Sequence, residues 1–282
     1  MQILTKIEDI RQELLVIRTS AKKIALVPTM GYLHEGHLSL VDVAKANADV
    51  VVMSIFVNPT QFAPNEDLVR YPRDIERDER LARERGVDYI FHPEVAEMYP
   101  DPYFTYVVTE QLAKVLCGIS RPTHFRGVTT VVAKLFNIIQ PDVAVFGQKD
   151  AQQAVIVKQM VRDLNFPIQI IVAPIVRESD GLAMSSRNVY LTPEERQQAP
   201  IIFKALQAAR ENVKNGLTDA NHVRDQITKM IQTSPLARID YVEIIDDQTL
   251  TPVETVKPGT FAAVAVYYGK TRLIDNIYLK ER

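Results

Sequence analysis

Five short runs of continuously apolar sequence constrain this chain more than any other feature: residues 24–28, 50–57, 88–92, 142–147 and 168–173. They are rich in β-branched residues and do not alternate with polar ones, which is the pattern of strands buried on both faces. Between them lie stretches with helical periodicity, at 37–47, 65–85, 129–139 and 151–164. Strands alternating with helices form right-handed βαβ units, and a series of such units makes a mainly parallel sheet. The sequence therefore predicts an α/β fold with a Rossmann-like, parallel-sheet N-terminal domain.

The pattern changes after Ala173. Residues 176–190 are polar and irregular, and Thr192-Pro193-Glu194-Glu195 then carries a capping residue, a proline at the first helical position and a reaching-back glutamate. Helical patterns follow at 193–214 and 219–232, and strand-like segments at 239–245, 261–268 and 271–279. This predicts a first domain over 1–175 and a smaller α+β domain over 176–282. A chain of 282 residues is the right length for two such cores.

Charge and composition narrow the function. Lys plus Arg total 33 against 35 for Asp plus Glu, a balance that argues against a nucleic-acid binder. The one cysteine, Cys117, excludes an intrachain disulfide and a cysteine-built zinc site, in keeping with a reducing, cytoplasmic setting. No run approaches the roughly 18 apolar residues of a membrane span, and the N-terminal residues lack the long apolar run of a signal peptide.

Four segments carry candidate chemistry. The first leaves the 24–28 strand through Met30-Gly31-Tyr32-Leu33 and enters a helix at His34-Glu35-Gly36-His37. Ligands in open α/β sheets bind beyond the carboxyl ends of the strands, and a helix N-terminus there attracts phosphate. Two imidazoles on one helical face would donate hydrogen bonds to phosphate oxygens as charge builds up on them. Taken alone, the pair also fits surface histidines, whereas the zincin metal pair needs an i, i+4 spacing and these are i, i+3. The second segment, Asn58-Pro59-Thr60-Gln61-Phe62, offers the neutral donors and acceptors of Asn58 and Gln61; by itself it also reads as a simple turn. The third, Gly147-Gln148-Lys149-Asp150, places a cation at a strand end with Gln153 one turn on, although Asp150 there is also an ordinary helix cap. The fourth, Met184-Ser185-Ser186-Arg187, is a hydroxyl-rich loop with one arginine, a type that closes over nucleotides as readily as it links domains.

The His-Glu-Gly-His turn, together with the Met-Ser-Ser-Arg loop, resembles the nucleotidylyltransferase superfamily and its paired-histidine and Lys-Met-Ser-Lys-Ser-type signatures. Within it, Pro28-Thr29-Met30-Gly31, Asn58-Pro59-Thr60-Gln61-Phe62, Tyr71-Pro72-Arg73, Arg121-Pro122-Thr123-His124-Phe125, Gly147-Gln148-Lys149-Asp150 and Asp180 to Asn188 run in the order found in the pantothenate synthetase (pantoate–β-alanine ligase) family. The resemblance implies ATP-dependent condensation of pantoate with β-alanine through a pantoyl-adenylate, by a homodimer assembled through the larger domain. It implies an ATP site of Met30 to His37, Gly147 to Asp150, Val176 and Met184 to Arg187. His37 would be the catalytic histidine and His34 its partner, with Lys149, Ser185 and Arg187 on phosphates. Gln61, Gln153 and Asn58 would serve the pantoate site, Gln61 also lying near β-alanine. Mg²⁺ is expected on the phosphates. The family's acidic metal-contacting position after Tyr71-Pro72-Arg73 has three candidates, Asp74, Glu76 and Asp78, and none is assigned. Tyr32 stands where many members carry a smaller or amide residue.

Three other readings compete. A nucleotidylyltransferase acting on a phosphate ester would share the histidine turn without needing the Gln61 and Gln153 pair. A tRNA synthetase would need an anticodon domain for which there is little room. A nucleotide-binding regulatory module would need no catalysis.

Overall fold

Alternate residues of each central strand pack into two different cores, and this double burial shapes the first unit. Ile24 and Leu26 face one cluster with residues of the helices Ile7–Thr19 and His124–Ile139, while Ala25 and Val27 face another with residues of the helices Glu35–Lys45 and Ile75–Arg85. The same split divides Val52 from Met53 and Ala144 from Val145. A sheet covered on both sides excludes polar residues from either face, which explains the unalternating runs.

The structure is a computed structural model that describes residues 1–64 and 66–282. The first part runs β1 (Gln2–Leu4), α1 (Ile7–Thr19), β2 (Ile24–Thr29), α2 (Glu35–Lys45), β3 (Val50–Ile55), α3 (Ile75–Arg85) and β4 (Tyr89–Phe91). It continues through two short helices, α4 (Val95–Met98) and α5 (Cys117–Ser120), then α6 (His124–Ile139), β5 (Val143–Gly147), α7 (Ala151–Asp163) and β6 (Gln169–Ala173). The six strands form one parallel sheet in the order β1-β4-β3-β2-β5-β6. The chain moves outward from β2 through β3 to β4, then returns to place β5 on the other side of β2. The strand order therefore reverses between β2 and β5, the position where open α/β sheets leave a crevice for ligands.

The second part contains α8 (Pro193–Gln198), α9 (Ile201–Lys214), α10 (Ala220–Ile231), β7 (Ala237–Asp246), β8 (Thr260–Tyr268) and β9 (Thr271–Lys280). Its strands form an antiparallel sheet, β7-β8-β9. Ile202, Leu206, Val223 and Ile227 from α9 and α10 share a core with Val264, Val266, Leu273 and Ile277. The capping box at Thr192 and Glu195 forms as expected.

Contacts group the chain into two compact units: 1–147 with 156–174, and 148–155 with 175–282. Residues 148–155 thus belong with the second unit, whereas the sequence places them in the first domain. Hydrogen bonds from β9 to this turn, described below, are the reason. Three further expectations change. The helix expected over 65–85 is confined to α3, because Asp74 caps it by accepting from the Arg77 N–H; position 65 lies outside the described residues. The helix expected from 129 begins five residues earlier, at His124. The expected 193–214 helix divides between α8 and α9 at Ala199 and Pro200, since proline supplies no backbone donor there. Strand β1 and helix α1 carried no recognised signal.

Candidate active site

The turn that follows β2 is held from beneath by a buried carboxylate. Asp78, on α3 and 1 % exposed, accepts hydrogen bonds from the backbone N–H of Tyr32 at 2.6 Å and of Leu33 at 2.7 Å. Burial pushes its carboxyl above the ordinary range, against the pull of those two bonds and of Arg77. The close approach leaves no space at Gly31, where a Cβ would lie 2.9 Å from Asp78 Oδ2 and where φ is +81°. Tyr32 is also left-handed, at φ +50°, a conformation easier for glycine or asparagine. This is the physical sense of the unusual tyrosine: its backbone is strained, Asp78 holds it, and Arg77 stacks on the ring at 5.2 Å.

His34 is the N-cap of α2. Its Nδ1 accepts from the Gly36 N–H at 3.1 Å, which places the proton of the neutral ring on Nε2. The His37 ring lies against it, with centroids 4.0 Å apart. The two imidazoles therefore sit together over the positive end of a helix, at the carboxyl end of β2. Of the expected residues in this segment, Met30, Tyr32, His34, Gly36 and His37 are half-buried, Gly31 and Leu33 are buried and Glu35 is exposed.

Gln61 joins this group. Its Nε2 lies 2.9 Å from Met30 Sδ, and its side-chain oxygen accepts from Asn58 Nδ2 at 3.2 Å. Asn58, 1 % exposed, is engaged inside the protein: Nδ2 also donates to Gly127 O, and Oδ1 accepts from Tyr99 Oη at 2.8 Å and from Thr60. Burial pushes the Tyr99 hydroxyl up to about 12, so it remains a donor. Gly127 lets α6 approach the 59–61 turn; a Cβ there would fall 2.4 Å from Thr60 O. The Arg121 to Phe125 motif serves the same turn, with Arg121 and His124 both reaching the Gln61 carbonyl oxygen. The Tyr71-Pro72-Arg73 motif is also structural in its visible bonds, since Arg73 donates to the Tyr71 and Leu68 carbonyls. Gly147 ends β5, on the other side of the crevice position.

In the second unit, Gln148–Asp150 forms a 3-10 turn that leads into α7, with Gln153 on the first turn of that helix. Val176 accepts from the Met184 N–H, and Arg177 bridges to Ala183, so 176–184 is a small hairpin rather than an irregular loop. Ser185 then caps the 3-10 helix Ser186–Tyr190 by accepting from the Arg187 N–H at 3.3 Å. Ser186 is buried and Arg187 half-buried.

Two residues that motif reasoning did not single out support this unit. Asp275 and Asn276, in the middle of β9, are 4 % and 3 % exposed. The available signal was an Asp-Asn pair inside an apolar strand, where both types are disfavoured.

Among the described residues no group of three His, Cys, Asp or Glu side chains is placed to hold a metal ion. Both oxygens of Asp78 serve backbone N–H groups, and Asp74 caps α3. No helix among the described residues is long and apolar enough to cross a membrane.

The chain matches the family described as pantoate-beta-alanine ligase over residues 2–278. A pantothenate synthetase of Acetivibrio thermocellus is 56% identical over 280 residues, which cover 99% of this chain and 100% of the relative. The crystal structure of pantothenate synthetase from Thermus thermophilus superposes with a TM-score of 0.95 at 44% identity, covering 99% of this chain and 100% of that one. The pantoate-beta-alanine ligase of Francisella tularensis, complexed with beta-gamma ATP and beta-alanine, gives a TM-score of 0.79 at 35% identity, with 99% and 98% covered. This chain belongs to the pantoate–β-alanine ligase family.

Proposed function

We propose that this chain condenses (R)-pantoate with β-alanine at the expense of ATP. The pantoate carboxylate attacks the α-phosphorus of ATP, forming pantoyl-adenylate and releasing pyrophosphate. The β-alanine amine then attacks the acyl carbon, an amide bond forms as AMP leaves, and the amine loses a proton. The observation that carries this reading is the full-length match to a ligase whose structure holds an ATP-type nucleotide and β-alanine.

The residue roles are part of the proposal. The pinned turn Met30–Leu33, with His34, Glu35, Gly36 and His37 at the start of α2, binds ATP. His37 donates to phosphate oxygens as the bond to pyrophosphate breaks, and His34 orients it. Gly147, Gln148, Lys149, Asp150, Val176, Met184, Ser185, Ser186 and Arg187 also contact ATP, with the cations Lys149 and Arg187 on the leaving phosphates. Such charges stabilise the transition state more than the ground state. Gln61 and Gln153 bind pantoate, and Asn58 acts by holding Gln61, which its hydrogen bonds support. Mg²⁺ is carried on the ATP phosphates.

The protein is proposed to work in the cytoplasm as a homodimer formed by the first unit. The first unit exposes the large apolar side chains Phe104, Val108 and Ile119, at 85%, 56% and 74%. The experiment for the whole reading is ATP–pyrophosphate exchange across a panel of hydroxy acids. Exchange should require pantoate and proceed without β-alanine; exchange that began only after β-alanine was added would rule out a free-standing adenylate step.

A further inference from the structure

In its middle, strand β9 buries Asp275 and Asn276, which the reaction as described above does not use, and each is bonded to a different segment of the second unit. Odd-numbered residues of β9 (Leu273, Ile277, Leu279) face the core shared with α9 and α10. Asp275 shares that face by alternation, while Asn276 takes the other. On that second face its neighbours Ile274 and Tyr278 are only half-buried, whereas Asn276 is 3 % exposed.

The cover on Asn276 is the Gln148–Asp150 turn. Asn276 Nδ2 donates to the carbonyl oxygens of Gln148 at 2.9 Å and of Lys149 at 3.1 Å. Gln148 Nε2 donates back to Asn276 Oδ1 at 3.2 Å. Both donors and the acceptor of the amide are thus spent on the two residues that set where Lys149 leaves the backbone.

Asp275 holds the other segment. Its carboxylate takes both arms of Arg177, at 2.6 and 2.9 Å, and Arg177 also donates to Gly181 O and stacks on Phe203 at 3.6 Å. Arg177 begins the hairpin whose far strand leads directly into Met184, Ser185, Ser186 and Arg187. The Asn276 N–H donates to Asp275 Oδ1 at 2.7 Å and ties the two anchors together. Burying a charged pair in a strand costs stability that apolar residues would not, so its presence calls for a compensating gain.

We infer that Asp275 and Asn276 are positioning residues for adenylation, fixing from one strand the turn that presents Lys149 and the hairpin that presents Arg187. The inference rests on the proposed phosphate roles of those two cations. Asn276 then acts through the Gln148–Lys149 backbone, mainly by placing Lys149, and Asp275 through Arg177 and the 177–187 segment.

A double-mutant cycle tests it on the full-length enzyme. Wild type, Asn276→Ala, Lys149→Ala and the double variant are compared for ATP–pyrophosphate exchange with pantoate and for aminolysis of preformed pantoyl-adenylate by β-alanine. Asn276→Ser replaces the alanine variant if that fails to fold. Asn276→Ala should slow exchange by about 10- to 100-fold, the cost of misplacing a catalytic group by about an ångström, while aminolysis stays within about twofold. In the Lys149→Ala background most of that cost should disappear, because the main group it positions is gone. Additive losses in the cycle, or equal slowing of both half-reactions, would overturn the inference and leave Asn276 a purely structural residue. Exchange at the wild-type rate in Lys149→Ala would instead overturn the phosphate role of Lys149 on which the inference stands.

Discussion

Replacing Asp78 with Asn tests whether the turn after β2 is built by a carboxylate or only by shape. The side chains have nearly the same volume, so packing is preserved. What changes is the number of acceptors facing Tyr32 and Leu33. The carboxylate offers one oxygen to each N–H, at 2.6 and 2.7 Å. The amide offers one oxygen and turns an NH₂ donor toward the second N–H, which is then buried without a partner. A hydrogen bond to a charged group contributes about 1.5–3 kcal/mol, and the stranded donor adds a desolvation cost of about 1–3 kcal/mol. Against this, the variant no longer buries a charge, the effect that lifts the Asp78 carboxyl above its ordinary range. The opposing effects leave a net loss of about 2 kcal/mol, within the spread of the larger contribution. In urea this should lower the unfolding midpoint by roughly 1 M with the slope unchanged. Tyr32 is held left-handed by the same bond, at φ +50°, so the turn should also relax and adenylation should slow. An Asp78→Asn enzyme with a wild-type midpoint and wild-type pyrophosphate exchange would refute the argument.

The remaining predictions concern single groups. His37→Ala should slow pyrophosphate exchange by about 10²- to 10⁴-fold with the fold intact, as shown by an unchanged far-ultraviolet spectrum. Gln61→Ala and Gln153→Ala should each raise the pantoate KM or lower turnover, at roughly 1–3 kcal/mol, while the ATP KM changes little; a loss confined to ATP would reverse the assignment. Arg187→Ala should slow adenylation more than it weakens ATP binding and spare aminolysis of synthetic pantoyl-adenylate, as single-turnover measurements on each half-reaction will show. Glu97 is held below the ordinary carboxyl range, first by the Ile7 N–H and then by Lys6. Its contribution to stability is therefore present above the ordinary glutamate value and lost as pH falls through the lowered one; Glu97→Gln should remove that component, so the stability gap between wild type and variant closes on acidification.

The sheet was legible because its physical signal is local and redundant. Five strands each carry their own apolar run, although β6 at the sheet edge buries only Ala173, and the Thr192 capping box needs only four residues to declare itself. Strand β1 has three residues and is half exposed, so no periodicity could mark it, and α1 lacks a side-chain cap. The 65–74 stretch is also rich in charge, and Pro72 with the Asp74 cap decides where the helix begins.

The site divides in the same way. The residues proposed to meet a ligand fall at strand ends and helix starts, places the sequence marks with glycine and proline, so Gly31, His34, His37, Gln61, Lys149 and Arg187 are all legible as candidates. Most residues that hold them in place are distant in sequence, and a local mark such as the Asp-Asn pair in β9 does not name the partner. Asp78 lies 46 positions from the Tyr32 N–H it binds, and Asn276 lies 128 from the Gln148 carbonyl. One acidic residue among Asp74, Glu76 and Asp78 cannot be preferred without knowing which carboxylate faces the turn, and that depends on how α3 packs against α2. The same consideration changes the meaning of Asn58. At a strand end it reads as a ligand contact, yet its amide is bonded to Gly127, Tyr99, Thr60 and Gln61, so the proposed effect on substrate is one that passes through Gln61. A buried polar side chain that satisfies its partners within the protein transmits position rather than chemistry. In this fold such residues are the ones whose substitution should disturb one half-reaction through a named neighbour, and not through direct loss of a contact to substrate.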